Sequence, residues 1–179
     1  MLVERSYATF ALFLTFLALA PGNLLFALGK LTGGGWRVFA IDTRTLTHLF
    51  TFGEDLGERL AALAVVGDEL FVGGQEGIHV FSFAGKPLRV IRGDFGQPYR
   101  LRFINERLYL TVWVADVKAS QKIHVLTPQG ETLQVYDMPE GRPIVDTAVL
   151  GRKLIVCSLG EWLSHADLHG SVMQALLGA

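Results

Sequence analysis

The chain has 179 residues, of which 50% are hydrophobic and 18% charged, and sixteen Lys plus Arg against seventeen Asp plus Glu leave a net charge of −1. That balance, scattered with no basic stripe, excludes a phosphate-backbone binder, so no nucleic-acid partner is expected. The single cysteine, Cys157, excludes an intrachain disulfide; within Leu154-Ile155-Val156-Cys157 it is expected to act as a small buried hydrophobe.

The first thirty residues allow three readings. Glu4 and Arg5 precede an uncharged span over 6–29. Residues 10–19 with Ala18-Leu19-Ala20 imitate a secretory signal, and the length suits a membrane anchor. Pro21-Gly22-Asn23 interrupts either helix, and the preferred reading makes 12–28 two strands joined by that turn. With no disulfide and no Asn-x-Ser/Thr acceptor, a cytoplasmic location is favoured slightly over a secreted or tethered one.

Further along, one pattern returns four times. A turn followed by an apolar run occurs at Gly22-Asn23-Leu24-Leu25-Phe26, Gly67-Asp68-Glu69-Leu70-Phe71, Asn105-Glu106-Arg107-Leu108-Tyr109 and Gly151-Arg152-Lys153-Leu154-Ile155. The first residues are spaced by 45, 38 and 46, close to the period of a propeller blade. A second signature follows each: Trp36-Arg37-Val38-Phe39, Ile78-His79-Val80-Phe81, Ile123-His124-Val125-Leu126, and a degenerate copy over 162–166. After it come Gly85-Lys86 and Gly130-Glu131 turns and another apolar alternation. Alternation of period two, bounded by Gly, Asn and Pro, predicts strands. Tyr99-Arg100-Leu101-Arg102-Phe103 is the clearest first strand.

The expected fold is therefore all-β: a β-propeller-type array of about four four-stranded antiparallel blades. An N-terminal segment over 1–11 precedes one repeat domain over 12–179, with blades near 12–57, 58–97, 98–142 and 143–179. The blades begin and end in phase, so the array either closes by itself or is an incomplete propeller that self-associates with another copy.

The run Gly67-Asp68-Glu69-Leu70-Phe71-Val72-Gly73-Gly74, then Ile78-His79-Val80-Phe81 and Gly85-Lys86-Pro87-Leu88-Arg89-Val90-Ile91, resembles an NHL-type β-propeller repeat. The likeness covers mainly residues 58–142, and Gln75-Glu76-Gly77 stands where that family has an Asn-His or Asp-Arg pair. What the resemblance implies is a scaffold used mainly for binding.

Catalytic signatures are missing: no His-Glu-x-x-His, no Cys-x-x-Cys and no Gly-x-Ser-x-Gly occurs. Gly29-Lys30-Leu31-Thr32 lacks the first glycine of a phosphate loop. His79 and His124 hold equivalent positions, and His165 lies nearby in the degenerate copy, but equivalent positions fan apart around an axis and do not converge on a metal. Arg92-Gly93-Asp94 reads as a turn, and Asp94, Glu140 and Asp146 as solvated loop residues. No catalytic residue, metal or cofactor is expected. The binding candidates are Trp36, Trp113 and Trp162, each beside a connection between second and third strands, with Asp94 and Tyr99. Large aromatics on loops anchor partners, though they also wedge between blades. A non-catalytic module engaging a protein partner is the expected function, and a secreted or tethered propeller related to lactonase-like hydrolases is the alternative.

Overall fold

The computed structural model describes residues 11–31, 35–54, 56, 62–74, 76–113, 121–138, 144–151, 153–158, 162–167 and 171–176. These residues form four antiparallel four-stranded sheets, and no helix occurs among them. Blade 1 holds β1 (Ala11–Ala20), β2 (Leu24–Leu31), β3 (Trp36–Asp42) and β4 (Thr47–Phe52). Blade 2 holds β5 (Ala62–Val66), β6 (Glu69–Gly74), β7 (Gly77–Ser82) and β8 (Pro87–Ile91). Blade 3 holds β9 (Gln97–Ile104), β10 (Arg107–Trp113), β11 (Lys122–Leu126) and β12 (Thr132–Asp137). Blade 4 holds β13 (Ile144–Leu150), β14 (Lys153–Ser158), β15 (Trp162–Asp167) and β16 (Ser171–Leu176). The strands of each sheet lie side by side in chain order, and the first strands touch in sequence, β1 on β5, β5 on β9 and β9 on β13.

The first hairpin of every blade is set by residues that accept a left-handed backbone. Gly67 has φ 60°, Asn105 and Glu106 have 50° and 60°, and Gly151 has 59°. These turns follow the right-handed twist of the strands they join. Val66 pairs with Glu69, Ile104 with Arg107 and Leu150 with Lys153, so two residues span each turn. Blade 1 carries one more, because Ala20 pairs with Leu24 around Pro21-Gly22-Asn23.

The second hairpin repeats in finer detail. In blade 2 the Ser82 amide donates to the Lys86 carbonyl and the Lys86 amide donates to Ser82 Oγ at 3.3 Å. In blade 3 the Thr127 amide donates to the Glu131 carbonyl, and the Glu131 amide to Thr127 Oγ1 at 3.1 Å. Blade 1 uses Asp42, whose Oδ1 accepts from the Arg44 and Thr45 amides at 2.7 and 3.2 Å. A short polar side chain ending the third strand thus holds each described turn.

Packing between blades explains the unbroken apolar runs. β6 is buried on both sides, while β8 at the outside is largely exposed. Phe26, Leu28, Val38 and Ala40 meet Leu63, Leu70, Val72 and Phe81 between blades 1 and 2. Ala64, Phe71 and Val80 meet Leu108, Leu110 and Leu126 between blades 2 and 3. Tyr109, Ile123 and Val125 meet Ile144, Leu154 and Val156 between blades 3 and 4. The turn glycines seat one blade on the last: a Cβ on Gly85 would lie 2.9 Å from the Phe52 ring, and one on Gly130 would lie 2.3 Å from Ile91 Cγ2. Four residues beyond Phe52 and Ile91, Leu56 and Phe95 are buried in matching places.

Residues 11–20, part of the span weighed as a signal or anchor, form β1 and pair with β2; the first ten residues lie outside the described ones. No helix among the described residues is long and apolar enough to cross a membrane. Two expectations need correction. Cys157 is exposed, because alternation places it on the face of β14 opposite to buried Leu154 and Val156. Asp146 belongs to β13 and not to a loop, since the strand begins at Ile144. In blade 4 the register matches Ala166 with Phe81 and Leu126, so Ser164 holds the position of His79 and His124, with His165 next to it. Glu140 lies outside the described residues.

Candidate binding site

Antiparallel order sorts the connections onto two rims. The short hairpins lie on one; the second-to-third-strand loops and the blade-to-blade crossings lie on the other. Trp36 opens β3, Trp113 closes β10 and Trp162 opens β15, so all three belong to the second rim, on three different blades. Asp94, exposed, sits in the crossing from β8 to β9 on that rim. Tyr99 is the third residue of β9, half-buried just below it. Trp36 is half-buried against the blade 1–2 core, which makes it partly the wedge weighed above. Beside it the Arg37 guanidinium donates to the Glu54 carbonyl at 3.5 Å.

A groove of about 510 Å³ lies between blades 1 and 2, running from Glu54 and Leu56 on this rim past His79 and Phe81 to Gly85 and Pro87 at the β7–β8 hairpin on the other. Burial holds the His79 imidazole below its usual range, with Arg92 adding to the effect and Glu76 opposing it. His124 occupies the same position between blades 2 and 3, but there the Phe95 ring packs against it at 5.4 Å. Burial and then Lys122 lower His124 in turn, against Asp137 and Asp94.

The axis carries a second feature. Phe16 pairs with Leu28, Ala62 with Gly73, Arg100 with Thr111 and Asp146 with Cys157. Leu28, Gly73, Thr111 and Cys157 lie six residues past Gly22, Gly67, Asn105 and Gly151, the matching turn residues of the four repeats. Phe16, Ala62, Arg100 and Asp146 are therefore equivalent residues of the four inner strands. By the same register Ala18, Ala64, Arg102 and Ala148 form the next layer. The charged members converge. Arg102 donates from Nε to Asp146 Oδ1 at 3.2 Å and from Nη2 to Oδ2 at 2.7 Å, and Arg100 Nη1 reaches Oδ2 at 3.3 Å. The Arg100 guanidinium also lies 5.7 Å from the centre of the Phe16 ring, within cation–π range. Blades 1 and 3 are not neighbours in the chain of sheets. Their contact requires the inner strands to curve around a common axis.

Burial would raise the Asp146 carboxyl, but the Arg102 hydrogen bonds, the Thr147 amide and the charges of Arg100 and Arg102 outweigh it and hold it low. A smaller cavity of about 300 Å³ adjoins the cluster, lined by Arg102, Ile104, Asp146, Thr147, Ala148, Ile155 and Cys157 among others. No group of three or more His, Cys, Asp or Glu able to hold a metal occurs among the described residues.

Five residues were singled out from sequence. The backbones of Trp36, Trp113, Trp162 and Asp94 share a rim, and Tyr99 stands below it; the side chains of Trp113 and Trp162 lie outside the described ones. The axial pair of arginines was missed as a site. Its signal was present, since Arg100 and Arg102 alternate with Tyr99, Leu101 and Phe103 in a strand whose counterparts carry alanine.

No family model matches the sequence, and no curated protein does. Solved structures do. Kuenenia stuttgartiensis hydrazine synthase matches with TM-score 0.73 at 12% identity, covering 90% of this chain and 53% of its own. BamB from Moraxella catarrhalis matches with TM-score 0.61 at 18% identity, over 93% of this chain and 51% of its own. The computationally designed Ika4 protein matches with TM-score 0.61 at 15% identity, over 93% of this chain and 92% of its own. The chain thus spans about half the length of the first two, which are β-propeller proteins, and nearly all of the third. At these identities the likeness shows the fold alone: four blades arranged as in a β-propeller.

Proposed function

We propose that the chain is a non-catalytic binding module that engages a protein partner through the loop-bearing rim. The observation that carries this reading is the placing of Trp36, Trp113 and Trp162 on three blades of one rim, which the groove between blades 1 and 2 reaches at Glu54 and Leu56. Amphipathic aromatics supply large contact area at small entropic cost, and a groove that size accepts one or two anchoring side chains. The resemblance of blade 2 to an NHL-type repeat supports binding over catalysis. These three are also the only tryptophans, so their fluorescence reports the rim directly. Peptides selected for binding from a random library test the reading. The expected result is that bound peptides shift tryptophan emission and protect residues 36, 53–56 and 94 from hydrogen exchange. Protection confined to the opposite rim, at 67–68 and 105–106, refutes it.

A companion reading, self-association to complete a larger ring, is favoured by the end blades. Leu17 and Leu19, 63% and 71% exposed, lie on the side of β1 turned away from blade 2, and Leu150, 69% exposed, on the side of β13 turned away from blade 3. Sedimentation decides it: a dimer that Leu17→Glu with Leu150→Glu dissociates supports the reading, and a monomer at all concentrations ends it.

A further inference from the structure

We propose that the axial cluster of Arg100, Arg102 and Asp146 binds a small organic carboxylate, whose headgroup meets the Arg102 guanidinium at the cavity wall and whose short apolar body fills the adjoining cavity. Hydrogen-bond accounting leads there. A carboxylate offers about four acceptor positions. On Asp146 four donors take them: Arg100 Nη1, Arg102 Nε and Nη2, and the Thr147 amide at 2.8 Å. What remains is two buried polar atoms without partners, a guanidinium N–H that can only donate and a hydroxyl that can donate. Arg100 Nε is buried with no partner, and so is Thr147 Oγ1, on a residue only 4% exposed that lines the cavity. Buried donors of this kind are rare unless something else satisfies them.

Charge gives the sign of the missing acceptor. Two guanidinium groups against one carboxylate leave a single positive charge, which suits a monoanion better than a doubly charged phosphate. The walls give its body. Ile104, Ala148 and Ile155 line the same cavity, and 300 Å³ lies at the lower end of the range for ligand pockets. The repeat itself argues that the charges are not needed for folding, because the positions equivalent to Arg102 in the other three inner strands are Ala18, Ala64 and Ala148. This site is separate from the rim, and its test does not depend on a protein partner.

Butyrate serves as the probe, with its uncharged isostere butyramide and inorganic phosphate as comparisons, titrated by calorimetry against the full chain. The expected result is saturable butyrate binding in the millimolar range, with butyramide weaker by about tenfold or more. Arg102→Gln is expected to abolish it. Thr147→Val, which keeps the shape and removes only the hydroxyl, is expected to weaken it several-fold in a chain that melts as the wild type does. Equal binding of butyrate and butyramide overturns the proposal. So does stronger binding of phosphate, an unchanged affinity in Thr147→Val, or no saturable butyrate binding at all.

Discussion

Gly130→Ala is the substitution that tests the blade contact most directly. Its cost has two parts. Gly130 has φ 98°, and placing an L side chain there costs about 1–2 kcal/mol. The added Cβ would also stand 2.3 Å from Ile91 Cγ2 in the preceding blade, and forcing such an overlap costs roughly 1–3 kcal/mol more. Ile91→Ala alone removes a side chain only 6% exposed, for about 2–5 kcal/mol. In the double variant the offending Cγ2 is gone and the nearest remaining atom, Ile91 Cβ, is 3.3 Å away. The overlap is then relieved while the backbone cost stays. Urea unfolding of the four proteins should show the double variant less destabilised than the two singles added together, by about 1–3 kcal/mol. Additivity within about 0.5 kcal/mol would mean that the turn of blade 3 does not rest on blade 2.

Other outcomes follow from the same geometry. Gly67→Ala, with φ 60° but nothing within 4 Å of the new Cβ, should cost only the backbone share of about 1–2 kcal/mol, clearly less than Gly130→Ala by urea midpoint. Burial lowers His79 and His124, so folding favours their neutral forms. Their contribution is complete above the unfolded value near 6.5 and is lost as pH falls through the folded values. Melting temperature should therefore drop on acidification below that value, and His79→Gln with His124→Gln should flatten the decline. Asp146 and Glu69 behave in the carboxylate sense. Both are held low, Glu69 chiefly by its paired hydrogen bonds with Arg89, so their support persists well below neutrality and fails only in strong acid.

The repeat was legible because its turns are chemically forced. A two-residue hairpin needs positive φ, so Gly67-Asp68, Asn105-Glu106 and Gly151-Arg152 announce themselves, and the apolar strands behind the first two are buried on both faces. The capping role of Asp42, Ser82 and Thr127 was equally available from spacing but needs the register to be recognised. What stayed hidden depends on which way a strand faces. Cys157 looks like its neighbours Ile155 and Val156 until alternation is anchored by the pairing with Asp146. Asp146 looked like a loop residue because Pro139, Gly141 and Pro143 crowd the approach to β13 and extend the turn signal almost to it. Arg100 and Arg102 looked like the polar side of an ordinary strand, which in most sheets faces water. Only curvature around an axis turns that side toward Asp146 and Phe16.

Stability in a repeat array comes from equivalent residues meeting equivalent surroundings, so a position that breaks the pattern is under some other demand. The two innermost layers put Ala18, Ala64 and Ala148 around Arg102, and Phe16 and Ala62 beside Arg100 and Asp146. Small apolar residues already satisfy the packing there. Replacing a charged cluster by apolar residues is often neutral or stabilising, whereas removing one partner strands the other. Arg100→Ala, Arg102→Ala and Asp146→Ala together restore small apolar residues at both layers and remove every charge of the cluster at once. The unfolding free energy of this triple variant should fall within about 1 kcal/mol of the wild type, while Asp146→Ala alone, leaving two guanidinium groups facing each other, should be the less stable of the two. A loss of about 3 kcal/mol or more in the triple variant would make the cluster a strut of the fold, and the carboxylate reading would lose its basis in the repeat.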